Sequence, residues 1–239
     1  MDRKSFVFNK LAFLLLFAAV WIVPGHATTI AVSNWDNPLD GSDGWSFVHD
    51  GMNMSLVQTG GHGGGFLQIA DQALGTTMYL VAPAKFLGNQ TAAYGGTLSF
   101  DLQQSYDTNY YADDDVLITG NGLTLAYNTG VNPAAAPDWT PITVNLFASS
   151  GWKVGTTAGI DATEAQLQSV LSNLGSLWIR PEFQVGPDVD GIDNVVLTSG
   201  LVTGTSATPE PSTWLMLAAG LFAIFFSRLR AHVPARTSR

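Results

Sequence analysis

The sequence predicts an all-β body carrying one short helix, set between two terminal segments that serve export rather than the fold. Three observations predict it. Short runs rich in Val, Ile, Leu, Tyr and Phe alternate with Gly, Asn, Asp and Pro clusters through the middle of the 239-residue chain. A single stretch, DATEAQLQSVLSNLGSLW, has apolar residues at helical rather than strand spacing. Seven of the ten Lys and Arg residues lie in the two ends.

The clearest strands are MYLVAP, GTLSFDLQQ, DVLITG, LTLAYN, ITVNLFA, LWIRPEFQV and NVVLTS. In GTLSFDLQQ, Leu98, Phe100 and Leu102 fall on one face and Thr97, Ser99 and Asp101 on the other. That period of two predicts a sheet with one wet face. The helix is predicted over about Thr163–Asn173. Asp161 or Thr163 serves as N-cap, Ala165, Leu167, Val170, Leu171 and Leu174 form its apolar stripe, and Gly175 stops it. TGGHGGGF reads as a glycine-rich loop, because it lacks the Lys-Ser/Thr of a phosphate loop. Turns between short strands predict a sandwich or barrel rather than alternating strands and helices.

The ends read differently. Residues 1–27 have the form of a secretory signal: Arg3, Lys4 and Lys10, then LAFLLLFAAVWIV, then small residues ending at Ala27. The body is expected over 28–199, followed by a small, polar linker over 200–208. Residues 209–239 begin with Pro209, Glu210 and Pro211, continue with an uncharged run over 213–226, and finish in arginines. As a helix that run would be about 21 Å long, short of the roughly 30 Å hydrocarbon core unless its flanks are recruited.

Charge and composition exclude several functions. Between Thr28 and Thr208 the only basic residues are Lys85, Lys153 and Arg180, against seventeen Asp and Glu. Such a surface repels phosphate backbones, so nucleic acid is not an expected partner, whereas divalent cations and neutral ligands are compatible. The absence of cysteine removes disulfides, thiolate metal sites and cysteine nucleophiles. No serine stands in a nucleophile elbow, no HExxH occurs, and the body's two histidines, His49 and His62, sit in loop-like sequence. The chain is therefore read as noncatalytic, with a matrix hydrolase as the least favoured reading.

Two resemblances add to this. The Pro-Glu-Pro triplet, short apolar run and basic finish, in that order at the C-terminus, resemble the PEP-CTERM sorting signal of exopolysaccharide-producing Gram-negative bacteria. The resemblance implies recognition by a membrane-embedded exosortase, export by the general secretory route and only transient anchoring in the inner membrane. The body resembles the laminin B (laminin IV type A) domain of matrix proteins. DGWSF and GFLQIAD lead into MYLVAPAKFLGNQTAAYGGTLSFDLQ over Met78–Gln103. DVLITGNGLTLAYN, WTPITVNLFASSGWKV and LQSVLSNLGSLWIRPEFQVGPDVDGIDNVVLTS follow in register. This resemblance implies a jelly-roll β-sandwich of the carbohydrate-binding-module, galactose-binding-like kind, with an adhesive rather than catalytic role. No cysteine-rich repeats surround it, so laminin-type assembly is not implied.

Candidate sites follow. The sandwich resemblance implies a structural Ca²⁺ held by Asn34 or Asp36 together with Asp193 of GIDNVVL, as hard oxygen ligands allow; Asp193 and Asn194 shaping a turn is the alternative. Asp113–Asp115 are expected in a solvated loop. Trp45, Tyr106, Tyr110, Tyr111, Trp139 and Trp152 are the aromatics available to stack on a sugar, with Tyr106, Tyr110 and Tyr111 of YDTNYYADDD preferred. An extracellular polysaccharide or a matrix protein is the expected partner, through either general matrix association or, for a glycan, a specific carbohydrate-binding module. Trp45 and Trp178 are assigned to the core, and Arg180 and Glu182, two apart on a strand, to a structural ion pair.

Overall fold

A computed structural model describes residues 25–71 and 75–201, with Met216, Gly220 and Leu221. Most of the signal segment (1–24), the Pro209–Pro211 triplet and the other residues of the 213–226 run lie outside the described residues. Among the described residues no helix is long and apolar enough to cross a membrane.

In chain order the unit His26–Val202 contains β1 (Thr29–Ser33), β2 (Ser46–Val48), β3 (Gly51–Val57), β4 (Phe66–Asp71) and β5 (Tyr79–Val81). Then come β6 (Thr97–Gln104), β7 (Val116–Gly120), β8 (Leu123–Tyr127), β9 (Ala134–Ala135), β10 (Thr140–Asn145) and β11 (Lys153–Val154). Helix α1 (Glu164–Ser172), β12 (Leu174–Ile179) and β13 (Asp188–Thr198) complete it. One sheet runs β10-β6-β13-β4-β3, with β1 also on β13 and β9 on β6. The other runs β11-β8-β7-β12-β5-β2. All pairings are antiparallel except β6 with β9. This is the predicted all-β sandwich with one short helix.

The core lies between the sheets. Leu98, Phe100 and Leu102 of β6, Leu67 and Ile69 of β4 and Ile192 of β13 are buried with Val116, Ile118, Leu125, Leu177 and Ile179 of the other sheet. Each such side chain, fully removed from water, stabilises by about 1.5–3 kcal/mol before ordering costs. Trp35, Trp45 and Phe86 stack at centroid separations of 6.2 and 5.5 Å, and the Trp45 indole donates to Ser33 Oγ at 2.9 Å. Trp45 is thus in the core, as expected.

The helix forms where its pattern predicts. Thr163 is the N-cap and forms a capping box with Gln166: Gln166 N–H donates to Thr163 Oγ1, and Thr163 N–H donates to Gln166 Oε1 at 2.9 Å. Leu167, Val170 and Leu171 are buried, and α1 packs on β7 and β8.

Three expectations are corrected. The second face of β6 is not wet: Asp101 and Gln103 are only 8% and 7% exposed. The glycine-rich loop lies over it, with the His62 ring bonded to Asp101 Oδ2 at 2.8 Å. Trp178 is not core. It alternates with the buried Leu177 and Ile179, so it points to the outer face of its sheet, where it packs half-buried against Tyr79 and edge-on to His49. Trp152 is not available to a ligand, being fully buried with its indole N–H donating to Asn145 O at 2.9 Å.

Strand β13 carries Asp193 of the candidate cation site. It pairs with β4 through Asp188–Ile192, with β6 on the other side, and with β1 through Val195–Thr198. The ladder with β6 slips between Asp193 and Val196, and Asn194 sits at φ 50°. Such a bulge suits Asn, which tolerates the left-handed region. It also switches parity. Asp188, Asp190 and Ile192 face inward before it, and Val195 and Leu197 after it, leaving Asp193 on the outer face.

Candidate functional site

At one end of the sandwich, residues before β7, after β8 and after β12 converge around Arg180. This residue is 1% exposed. Its Nη1 donates to Asp115 Oδ1 at 3.1 Å, its Nη2 to Tyr111 O at 2.7 Å and its Nε to the backbone carbonyl of Glu182 at 2.6 Å. The guanidinium lies over the rings of Phe183 and Tyr111, 4.0 and 4.8 Å from their centroids. The expected ion pair with Glu182 is therefore replaced by one with Asp115, across 65 residues of sequence. The Glu182 carboxylate instead accepts Met78 N–H at 2.8 Å, with Tyr111 also bonded to it.

The acidic run before β7 is not a solvated loop beyond Asp113. Asp114 and Asp115 are buried. Adjacent carboxylates coexist because each turns to a different set of donors. Asp115 Oδ2 accepts Thr129 N–H and hydroxyl, both at 2.7 Å, and Asp114 Oδ1 accepts the same pair from Thr157. Asp113 accepts the Thr77 hydroxyl. Burial pushes the Asp115 carboxyl up, against the Thr129 bonds and Arg180, which pull it down.

Two clefts open on either side of Tyr111. One, of about 250 Å³, is lined by Tyr110, Tyr111, Asp113, Asp115, Arg180 and Phe183, among others. The other, of about 370 Å³, is lined by Thr76, Thr77, Tyr111, Glu182, Gln184 and Val185, among others. Tyr111 and Tyr110 are thus brought together, but Tyr106 lines neither cleft. The hydroxyls of Tyr106 and Tyr110 donate to Pro187 O and Pro133 O at 3.1 and 3.0 Å, while that of Tyr111 is shared between the Glu182 carboxylate and Thr77 Oγ1, 3.3 Å away. Burial first, and Glu182 after it, pushes the Tyr111 phenol up, so it stays protonated at neutral pH. These walls offer aromatic faces, amides, hydroxyls and carboxylates, groups able to stack on and hydrogen-bond a neutral polyhydroxyl ligand. Trp139 lies elsewhere, half-buried against Phe66 with its indole donating to Gly60 O.

Asp36 and Asp193 meet at the glycine-rich loop. Asp193 Oδ2 accepts His62 N–H and Oδ1 accepts Asn194 N–H, each at 2.7 Å. Asp36 Oδ2 accepts the Asn34 amide at 2.6 Å. A Cβ on Gly61 would strike the Asp193 carboxylate, and one on Gly64 would strike that of Asp36, so the loop needs glycine to lie this close. Burial, followed by the charges of Asp101 and Asp36, pushes Asp193 up to about 6. The oxygen-rich set fits a hard cation, but among the described residues no three His, Asp or Glu side chains are arranged to hold a metal ion. A cation here would need backbone carbonyls as well.

A family model of laminin B (domain IV) matches residues 79–215, and one of the PEP-CTERM protein-sorting motif matches residues 207–231. A basement membrane proteoglycan of Caenorhabditis elegans is 29% identical over 131 residues, covering 55% of this chain and 4% of that protein. Laminin subunit gamma-2 of Equus caballus is 31% identical over 141 residues, covering 56% of this chain and 11% of its own. The chain thus spans a small part of these relatives' length. Among solved structures, the L4b domain of human laminin alpha-2 is similar at 14% identity and a TM-score of 0.49, covering 65% of this chain and 97% of that one. A family 11 carbohydrate-binding module of Clostridium thermocellum is similar at 16% identity and a TM-score of 0.46, covering 72% and 96%.

Proposed function

The chain belongs to the laminin B (domain IV) family, and on that premise we propose that it is an exported, noncatalytic matrix-associating protein. An exosortase processes it near Pro209–Pro211, and its sandwich is then displayed on the surface of a Gram-negative cell or in its exopolysaccharide. The observation that carries this reading is the succession of two matches in one chain, a matrix-protein domain running directly into a sorting motif. The acidic body, with three basic residues between Thr28 and Thr208, suits a neutral or cation-bridged polysaccharide better than a polyanion.

The clefts beside Tyr111 favour a second, narrower reading, in which the sandwich grips a defined glycan. Intact mass and fractionation of the protein from its host test the first reading, with loss of residues beyond the triplet and recovery outside the inner membrane as the expected result. A full-length product retained in that membrane overturns it. In a pull-down on purified exopolysaccharide, Tyr110→Ala and Tyr111→Ala are each expected to weaken retention by about tenfold, the loss typical of one aromatic anchor. Unchanged retention removes the clefts from the binding surface, and turnover of the polymer removes the noncatalytic reading.

We also propose Asp36 and Asp193 as ligands of a structural Ca²⁺. A ligand that binds only the folded state raises Tm; at a hundred times its Kd the gain is about 2.7 kcal/mol. The Ca²⁺-dependent rise in Tm is expected to shrink by roughly 5–10 °C in Asp193→Ala. A Ca²⁺ response equal to that of the parent chain rejects the assignment.

A further inference from the structure

On the inner face of the larger sheet, a group of polar side chains occupies a place that the rest of the sandwich fills with hydrocarbon. Asp188 and Asp190 point inward in line with Ile192, and Asp188 lies directly across the ladder from Asp71. Gly191 pairs with Gln103, so Asp190 stands opposite Gln104 on the neighbouring strand. Gln104 is fully buried, and its amide nitrogen donates to Pro181 O, the residue before Glu182. Glu182 and Gln184 close the group from the segment between β12 and β13.

Its hydrogen bonding is incomplete. Among the described residues the carboxyls of Asp188 and Asp190 bond to each other and meet no donor outside the pair. The Oε1 of Gln104 has no donor, and neither amide atom of the fully buried Gln184 has a partner. Arg180, the nearby basic side chain among the described residues, is committed to Asp115 and two carbonyls. A buried carboxylate pair without a counter-charge is costly and must be neutralised. A proton shared between Asp188 and Asp190 would serve those two acids alone. It would leave the amide of Gln184 and the amide oxygen of Gln104 unsatisfied.

We propose that this pocket binds one divalent cation of the calcium type, held by the carboxylates of Asp188 and Asp190 and the amide oxygen of Gln104. Two carboxylates balance the charge of the ion. Carboxylate and amide oxygens are the donors such an ion takes, and water completes its shell. The cleft that Glu182 and Gln184 line is the entry path, and a water bound to the ion there bonds to the Gln184 amide. The site is separate from Asp36 and Asp193, which lie on the opposite face of the same sheet, so the two assignments can fail independently.

The test is calorimetric titration of Ca²⁺ into the purified full-length chain in mild detergent. Asp188→Asn/Asp190→Asn is expected to bind one ion fewer than the parent, while Asp193→Ala keeps this ion. Gln104→Met retains both carboxylates and guards against a misfolded double variant; it is expected to weaken this ion by at least about tenfold. A parent chain that takes up no Ca²⁺ or Mn²⁺ at millimolar concentration overturns the proposal. So does an Asp188→Asn/Asp190→Asn chain with the parent's stoichiometry.

Discussion

Replacing Arg180 by leucine is expected to lower stability by about 3–5 kcal/mol, a fall of roughly 6–20 °C in Tm. The guanidinium and the Asp115 carboxylate are 1% and 4% exposed by residue. Removing one partner strands the other charge in a water-poor site. The same change frees Tyr111 O and Glu182 O, two carbonyls that Arg180 supplies, and removes the cation stacked on Phe183 and Tyr111. Lysine is not a conservative replacement. The three bonds leave Arg180 in three directions from one plane, and a single ammonium cannot make them together with the stack. The pairing is tested by adding Asp115→Asn to Arg180→Leu. Because Thr129 still donates to the side chain at 115, the neutral amide is expected to recover part of the loss. Thermal melts of the four chains give the coupling. A loss below about 1 kcal/mol for Arg180→Leu would contradict the assignment of this pair as the anchor of the cleft.

What the sequence discloses and conceals about this residue has a physical basis. Strand spacing puts Arg180 and Glu182 on one side of a strand. That reasoning holds only while the strand continues, and β12 ends at Ile179. The true partner lies 65 residues upstream, a separation that local periodicity does not report. Local rules work where local physics decides. The Thr163–Gln166 capping box and the Leu167, Val170 and Leu171 stripe are set within one helical turn, and the helix matches its predicted bounds to a residue. The alternation of Leu98, Phe100 and Leu102 is likewise visible, because one layer of sheet suffices to bury it. What covers the opposite face is not, since the glycine-rich loop reaches Asp101 from 39 residues away. The acidic run before β7 misleads for the same reason. Charge density predicts solvent, but Thr129 and Thr157, distant in sequence, supply the donors that bring Asp115 and Asp114 inside. In DVDGIDNVVL a signal was present. Asp188, Asp190 and Ile192 keep a period of two that places both acids on the inward face of a strand, against the usual reading of Asp and Gly as a turn.

That inward placement leads to the second large effect. With a chelator present, the parent chain is expected to lose stability steadily as pH rises from about 4 to about 7. Burial, then Glu182 and Asp71, pushes the Asp188 carboxyl up to about 7. Burial, then Asp188 and Glu182, pushes Asp190 well above its ordinary value. In the unfolded chain both acids ionise near 3.8. Between these limits the folded chain holds protons that the unfolded chain has released, so each step up in pH favours unfolding. The stabilisation is complete below about 4 and is lost as pH passes through the folded values. Asp193, pushed up to about 6, and Glu182, also raised, act in the same direction. Tyr106 and Tyr111 also face these acids, but burial pushes both phenols up, away from this range. The loss by pH 8 is expected to be on the order of 4 kcal/mol, or roughly 8–16 °C in Tm. The decisive comparison is Asp188→Asn/Asp190→Asn. It keeps the volume of both side chains and removes the charges, so its Tm should exceed the parent's at pH 8 and its pH profile should flatten. Melts from pH 4 to pH 8 measure both. A parent chain more stable at pH 8 than at pH 5, or a double variant with the parent's slope, would place the source of the pH dependence outside this pair.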